Sequence, residues 1–215
     1  MVFEELDQPL KKLEEYEKEA KNEEIVEWFR KVQAARSDAA NLRAIILDLR
    51  EVLEKHDIDP YREKSPYYNF LLAYAYDSSG DTDVAIVNVD LSVSGFRKLG
   101  EAKDRQQAVS NWFCGLLLCK QGKFDIAKEK IDIAIDIFSK LDKERYLLGE
   151  YSKEYKDVIE KIKVSYANIR AEVQSKQSLF NRLKGTQTSN PPLAQKASDH
   201  NSSRPQDTPI KDYTP

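Results

Sequence analysis

Histidine and cysteine are the side chains most readily turned to nucleophilic, acid–base or metal chemistry near neutral pH, and this chain has two of each. His56 falls at a predicted helix end beside Asp57, where an imidazolium favours the helix dipole more simply than it performs chemistry. His200 stands in a polar, proline-bearing tail. Cys114 and Cys119 lie on one predicted helix with neither histidine near in sequence, which falls short of the four ligands that structural zinc requires. They read as small core residues. Acidic pairs such as Glu4-Glu5, Glu14-Glu15 and Glu23-Glu24 lie on predicted helices, and a solvated face accounts for them.

The phosphate-cradling pattern Gly-x-x-x-x-Gly-Lys-Ser/Thr, the dinucleotide pattern Gly-x-Gly-x-x-Gly and the zinc pattern His-Glu-x-x-His are all missing from the sequence. The chain is therefore expected to be no enzyme, with no catalytic residue, no cofactor and no metal. Its 34 basic and 37 acidic residues are interspersed and sum to -3, so no broad basic field exists to hold a nucleic-acid backbone. Met1-Val2-Phe3-Glu4-Glu5 is not a basic region followed by an apolar one, and no apolar run approaches the roughly 18 residues of a membrane span. No nucleic acid and no membrane are expected as partners. Two cysteines are too few for a disulfide framework, and the expected location is the cytoplasm.

Stepping along the chain, Phe3, Leu6, Leu10, Leu13, Tyr16 and Ala20 recur at steps of three and four over residues 3–21, which predicts an amphipathic helix. A second helix is predicted over 23–36 with Ile25, Trp28, Phe29 and Val32. A third runs to Lys55 from an N-cap at Ser37 or Asp38, and His56-Asp57-Ile58-Asp59-Pro60 ends it. Ser65-Pro66 offers an N-cap followed by proline at the first helical position.

From residue 65 the sequence repeats itself. Gly80 matches Gly122, Asp83 matches Asp125, Ala85 matches Ala127, Phe96 matches Phe138, Lys98 matches Lys140 and Leu99 matches Leu141, each pair 42 apart. Conservative matches fill the gaps, Val89 with Ile131 and Val93 with Ile135 among them. Each unit reads as helix, tight turn at a glycine able to take the left-handed backbone, then helix. The segment Ile131–Ile137 alternates apolar and polar residues like a strand, but its place in the repeat makes it helical.

These units resemble the tetratricopeptide repeat, in a long-period variety of 42 residues. The second unit carries the likeness best, through Gly115, Leu118, the turn Lys120-Gln121-Gly122-Lys123-Phe124, Ala127, Ile131 and Ala134. The first offers Ala73, Tyr76, Gly80, Ala85, Val89 and Ser92 at the same points. The endings Phe96-Arg97-Lys98-Leu99-Gly100 and Phe138-Ser139-Lys140-Leu141-Asp142 are similar to those of long-period units from signalling proteins. Arg97 and Ser139 stand where that family has a proline, and no third unit is recognisable.

The expected fold is all-α: antiparallel helical hairpins stacked as a short solenoid of the tetratricopeptide kind, a long C-terminal capping helix and a disordered tail. Residues 1–64 supply N-terminal helices packing on the repeats, 65–145 the two repeats, 146–184 the long helix and 185–215 the tail. Tyr151, Tyr155, Val158, Ile162, Tyr166, Ile169, Val173, Phe180 and Leu183 mark the long helix at near-heptad spacing. At 1.5 Å per residue it spans roughly 50 Å and should overhang the repeats from about Arg170. Five of the eight prolines lie beyond residue 190, where apolar residues thin out, which is the composition of a disordered segment.

In folds of the family that the repeats resemble, the first helix of each unit lines a concave groove. That likeness puts Tyr67, Phe70, Tyr74, Asp77 and Ser78 of the first unit there, with Val109, Trp112, Leu116, Cys119 and Lys120 of the second. Four aromatics of this set bury on the order of 600 Å² when covered, more than a soluble surface usually leaves bare. The cover is either the chain's own long helix or a partner helix. The functional expectation is a non-catalytic protein–protein interaction scaffold or adaptor that binds an amphipathic helix or peptide. Its alternatives are an assembly protein, a homo-oligomer joined by terminal helices in a coiled coil through Val173, Leu179, Phe180 and Leu183, or the sensing subunit of a signalling or transcription-regulating complex.

Overall fold

The computed structural model describes residues 4–55, 63–147 and 153–187, and no side chain is described at 145–147 or 183–187. Among the described residues every regular element is helical. A 3-10 turn at Glu4–Leu6 leads into α1 (Asp7–Glu19), followed by α2 (Glu23–Ala35), α3 (Ala39–Lys55), α4 (Ser65–Ser78) and α5 (Thr82–Leu99). After a second 3-10 turn at Glu101–Lys103 come α6 (Asp104–Lys120), α7 (Phe124–Leu147) and α8 (Glu154–Gln187). The fold is all-α, a stack of antiparallel helical hairpins.

The sequence repeat is a structural repeat at the level of single hydrogen bonds. At the end of α4 the amide of Gly80 donates to the carbonyl of Asp77 (3.0 Å) and that of Asp81 to Tyr76 (2.9 Å). Forty-two residues on, Gly122 donates to Cys119 (2.9 Å) and Lys123 to Leu118 (3.0 Å). Both glycines have positive φ, 95° and 77°, so each closes its helix with the paired bonds of a Schellman turn and starts the next helix two residues later. Asp81 then caps α5, its carboxylate accepting from the amide of Val84.

Within each hairpin the inward residues also correspond. Ala85, Val89 and Phe96 on α5 are buried, as are Ala127, Ile131 and Phe138 on α7. Gly115 is where the second hairpin closes tightest: a Cβ there would lie 2.8 Å from the side chain of Ile131 and 3.0 Å from the carbonyl oxygen of Ala127. Between the hairpins α5 meets α6 through small residues, Ser92 Oγ standing 3.1 Å from Ser110 Oγ. Helix α6 is surrounded, with every residue from Ala108 to Cys119 buried, which is why its apolar residues show no single stripe.

Several boundaries depart from the expectations. The long helix starts at Glu154, while α7 runs on through Leu147. The expected start of that helix at residue 146 lay ahead of Gly149, the glycine that stands between Leu147 and Glu154 and marks this boundary in the sequence. Ser65 is the first helical residue of α4, with Lys64 preceding it as a cap that makes no side-chain bond. The alternating stretch Ile131–Ile137 lies inside α7. Asp38 does cap α3, its Oδ1 accepting from the amides of Ala40 (2.9 Å) and Asn41 (3.2 Å). The expected helix stop at 56–60, both histidines, and the tail beyond residue 187 lie outside the described residues.

Candidate functional site

Helices α4 and α6, the first of each repeat, carry the predicted groove residues, and the chain itself covers them from two sides. Tyr67, Phe70, Tyr74, Val109, Trp112 and Leu116 are all buried. Phe70 packs between Phe29 of α2 and Phe113 of α6, with ring centres 6.3 and 5.1 Å away. Asp77 and Lys120, one on each first helix, pair with each other at 2.6 Å, and Thr82 also donates to Asp77 at 2.7 Å. The expected groove is thus covered, and the chain itself supplies the cover.

On the Trp112 side the cover is α8. The indole Nε1 donates to Ser165 Oγ at 2.9 Å, and Trp112 is 1% exposed. Tyr155, Val158, Ile162 and Ile169 of α8 are buried with it, and Tyr166 donates to the carbonyl of Phe124 at 3.3 Å.

On the tyrosine side the cover is α1, which the sequence reading had not placed there. Tyr67 donates to Glu17 Oε1 at 2.8 Å, and Gln106 of α6 donates to the same oxygen at 3.0 Å. Asn22 holds the other oxygen at 3.0 Å, so the 1%-exposed carboxylate has three donors. About one turn further toward the N-terminus of α1, Glu14 accepts from Gln33 at 2.9 Å and pairs with Lys18 at 2.6 Å. At the helix start Asp7 accepts from Tyr74 at 2.7 Å and pairs with Arg36. Burial, reinforced by the Glu17 and Asp7 carboxylates, holds the Tyr67 and Tyr74 hydroxyls well above the usual tyrosine range, so both remain proton donors.

Apolar contacts run alongside. Leu6, Leu10, Leu13 and Tyr16 are buried, and the Tyr16 ring lies beneath the Arg105 guanidinium at 4.4 Å. Arg105 also reaches Glu19 at 3.2 Å. At the other edge Lys12 pairs with Glu154 of α8 at 3.0 Å, and Asn168 donates to Glu5 at 3.2 Å. Helix α1 therefore makes polar contacts with α2, α4, α6 and α8 at once.

Reading Glu14 as part of a solvated face was incomplete, and Asp7, Glu17, Gln33, Arg36 and Gln106 were missed. One signal was available. On a wheel of about 100° per residue Glu17 falls between Leu6 and Leu10, in the middle of the apolar arc, with Glu14 and Asp7 at its edge. A carboxylate in such a position has to be met by donors when the helix packs.

The thiols are poorly suited to chemistry. Burial first, and then the neighbouring Asp90 carboxylate, push Cys114 up to about 12, while Lys130 pairs with that same Asp90 at 2.6 Å. Burial pushes Cys119 up to about 11. Among the described residues no group of three His, Cys, Asp or Glu side chains is arranged to hold a metal ion.

The expected self-association residues divide. Val173 is buried, and Arg170 lies over the Phe124 ring at 5.6 Å, so α8 is still supported by the hairpins where an overhang was expected to begin. Leu179 and Phe180 are 56% and 57% exposed, and the side chain of Leu183 is not described. No helix among the described residues is long and apolar enough to cross a membrane. Compared with family models, with curated proteins and with solved structures, the chain matches none.

Proposed function

We propose that the chain is a non-catalytic interaction scaffold of the tetratricopeptide kind, acting in the cytoplasm, whose two repeats bind an amphipathic helix on the face formed by α4 and α6. The observation that supports this is the seating of α1: a helix from outside the repeats inserts Glu17 between Tyr67 of one unit and Gln106 of the next. The incoming helix would carry acidic residues spaced like Asp7, Glu14 and Glu17, with leucines between them like Leu10 and Leu13. Such a helix would meet the same donors, and α1 would be the resident competitor.

Covalent attachment gives α1 an effective concentration on the order of millimolar, so a free peptide has to compete against that. The test titrates a labelled peptide of residues 4–22 onto two full-length chains, the wild type and a variant with Asp7→Asn, Glu14→Gln and Glu17→Gln. The variant should bind the peptide at least tenfold more tightly than the wild type, and a peptide carrying the three amides should bind neither. Equal, negligible binding of the acidic peptide by both chains would remove the groove reading.

The exposed Leu179 and Phe180 support the second reading, self-association through α8. Changing both to serine should then abolish an oligomer formed through α8 without altering peptide binding.

A further inference from the structure

Among the described residues three helix ends close with the same pair of hydrogen bonds, and only two of them have the residue the geometry favours. At the α1–α2 turn Lys21 donates to the carbonyl of Lys18 at 3.1 Å and Asn22 to that of Glu17 at 2.9 Å. This repeats the bonding at Gly80 and Gly122, but the left-handed position, φ 55°, is occupied by lysine. A side-chain-bearing residue is strained in that region, where glycine is not. From Leu10 to Lys55 the sequence contains neither glycine nor proline, so nothing in the local chemistry prevents residues 7–35 from forming one continuous helix. The bend at Lys21 is held by what α1 touches.

Those contacts are almost all remote in sequence. Tyr67, Tyr74, Arg105, Gln106 and Glu154 meet α1 from α4, α6 and α8, and a second copy of the chain offers the same partners in the same arrangement. Gln33 of α2 and Arg36, just after it, would likewise be supplied by the receiving copy. Straightening the turn relieves Lys21 and loses the local Asn22–Glu17 bond, while every groove contact is restored in the other molecule.

We infer that α1 exchanges between two copies of this chain, the turn at Lys21 opening into a continuous α1–α2 helix so that each α1 fills the groove of its partner. The dimer is two-fold symmetric, with the axis passing between the two opened turns, and the closed monomer and exchanged dimer share one interface. The inference rests on α1 as the occupant of the groove; peptide capture and chain exchange are read by different measurements, so either can fail alone.

The experiment uses the full-length chain. Sedimentation at increasing concentration should reveal a dimer in the wild type. Lys21→Gly, which favours the bend, should weaken dimerisation on the order of a hundredfold, about tenfold for each hinge. Lys21→Ala with Asn22→Ala should strengthen it several-fold. To distinguish exchange from any other dimer, chains of ordinary and heavy nitrogen are mixed and refolded together. The isolated dimer is then treated with a carbodiimide, which joins Lys12 to Glu154 without a spacer. Exchange gives Lys12–Glu154 products of mixed isotope, and these support the inference. A dimer yielding only single-isotope products overturns it, as does a wild type that stays monomeric at the highest concentration reached. If the double alanine variant fails to fold, an unchanged dimer constant in Lys21→Gly overturns it equally.

Discussion

The hydroxyl of Tyr67 donates to Oε1 of Glu17 across 2.8 Å, joining α4 to a helix fifty positions earlier in the chain. Both groups are buried, so each is costly to leave without the other. Tyr67→Phe should lower the unfolding free energy by about 1–2 kcal/mol, because Gln106 and Asn22 still hold the carboxylate. Glu17→Ala should cost more, since it leaves three donors without their acceptor. In a double-mutant cycle by urea unfolding the pair should couple by about 0.5–3 kcal/mol. Simple additivity of the two changes would mean that the bond contributes nothing.

Gly115 and Gly80 should respond to alanine for different reasons. At Gly115 the new methyl meets Ile131 and the carbonyl of Ala127, so the second hairpin has to open, at about 1–3 kcal/mol. Shortening the neighbour through Ile131→Val should recover part of that loss. At Gly80 an added Cβ would meet no atom within 4 Å, and only the positive φ opposes alanine, at about 1 kcal/mol with no recovery from any neighbour. Thermal melts of the single and paired variants separate the two causes.

Lys21 should show the reverse sign. Lys21→Gly removes strain from a backbone already at φ 55°, and the entropy that glycine adds to the unfolded chain offsets part of the gain. A net stabilisation of about 0.5 kcal/mol is expected in the monomer. A loss of stability there would indicate that the lysine side chain itself contributes.

Trp112 reports the docking of α8. Ser165→Ala leaves the indole N–H buried without its acceptor and should cost about 1–3 kcal/mol. Hydrogen exchange should then quicken in α8 ahead of α4 and α5. Uniform acceleration across all helices would argue that α8 does not detach separately.

The cysteines make the alkaline side informative. Cys114 and Cys119 have folded-state values near 12 and 11, above the ordinary thiol value of 9. The unfolded chain therefore loses these protons first, and stability present below pH 9 declines as pH rises toward 12. Cys114→Ala should flatten that decline relative to the wild type in melts between pH 8.5 and pH 11. At pH 8 neither thiol should react with iodoacetamide in the folded chain, and both should react in guanidinium. Rapid labelling of folded protein would contradict the burial of both.

The hairpins were legible in the sequence because what specifies them is local. Gly80 and Gly122 stand where a helix has to reverse with positive φ, and the residues 42 apart that follow them, such as Ala85 with Ala127, pack the same way inside each unit. The α1–α2 boundary, which has no glycine, was placed from the two apolar series that end at Ala20 and begin at Ile25. The gap between Leu147 and Glu154 contains Gly149, yet the start of the long helix was expected at residue 146, ahead of it.

What the amino-acid order determined by itself was the helical periodicity, the repeat and the identity of the aromatics on α4 and α6, since these depend on neighbours a few residues apart. Only the tertiary structure decided what covers them. A glutamate in an apolar arc reads the same whether water or Tyr67 satisfies it, and the choice between α1, α8 and a foreign helix turns on contacts fifty or more residues distant, where sequence spacing carries no distance information.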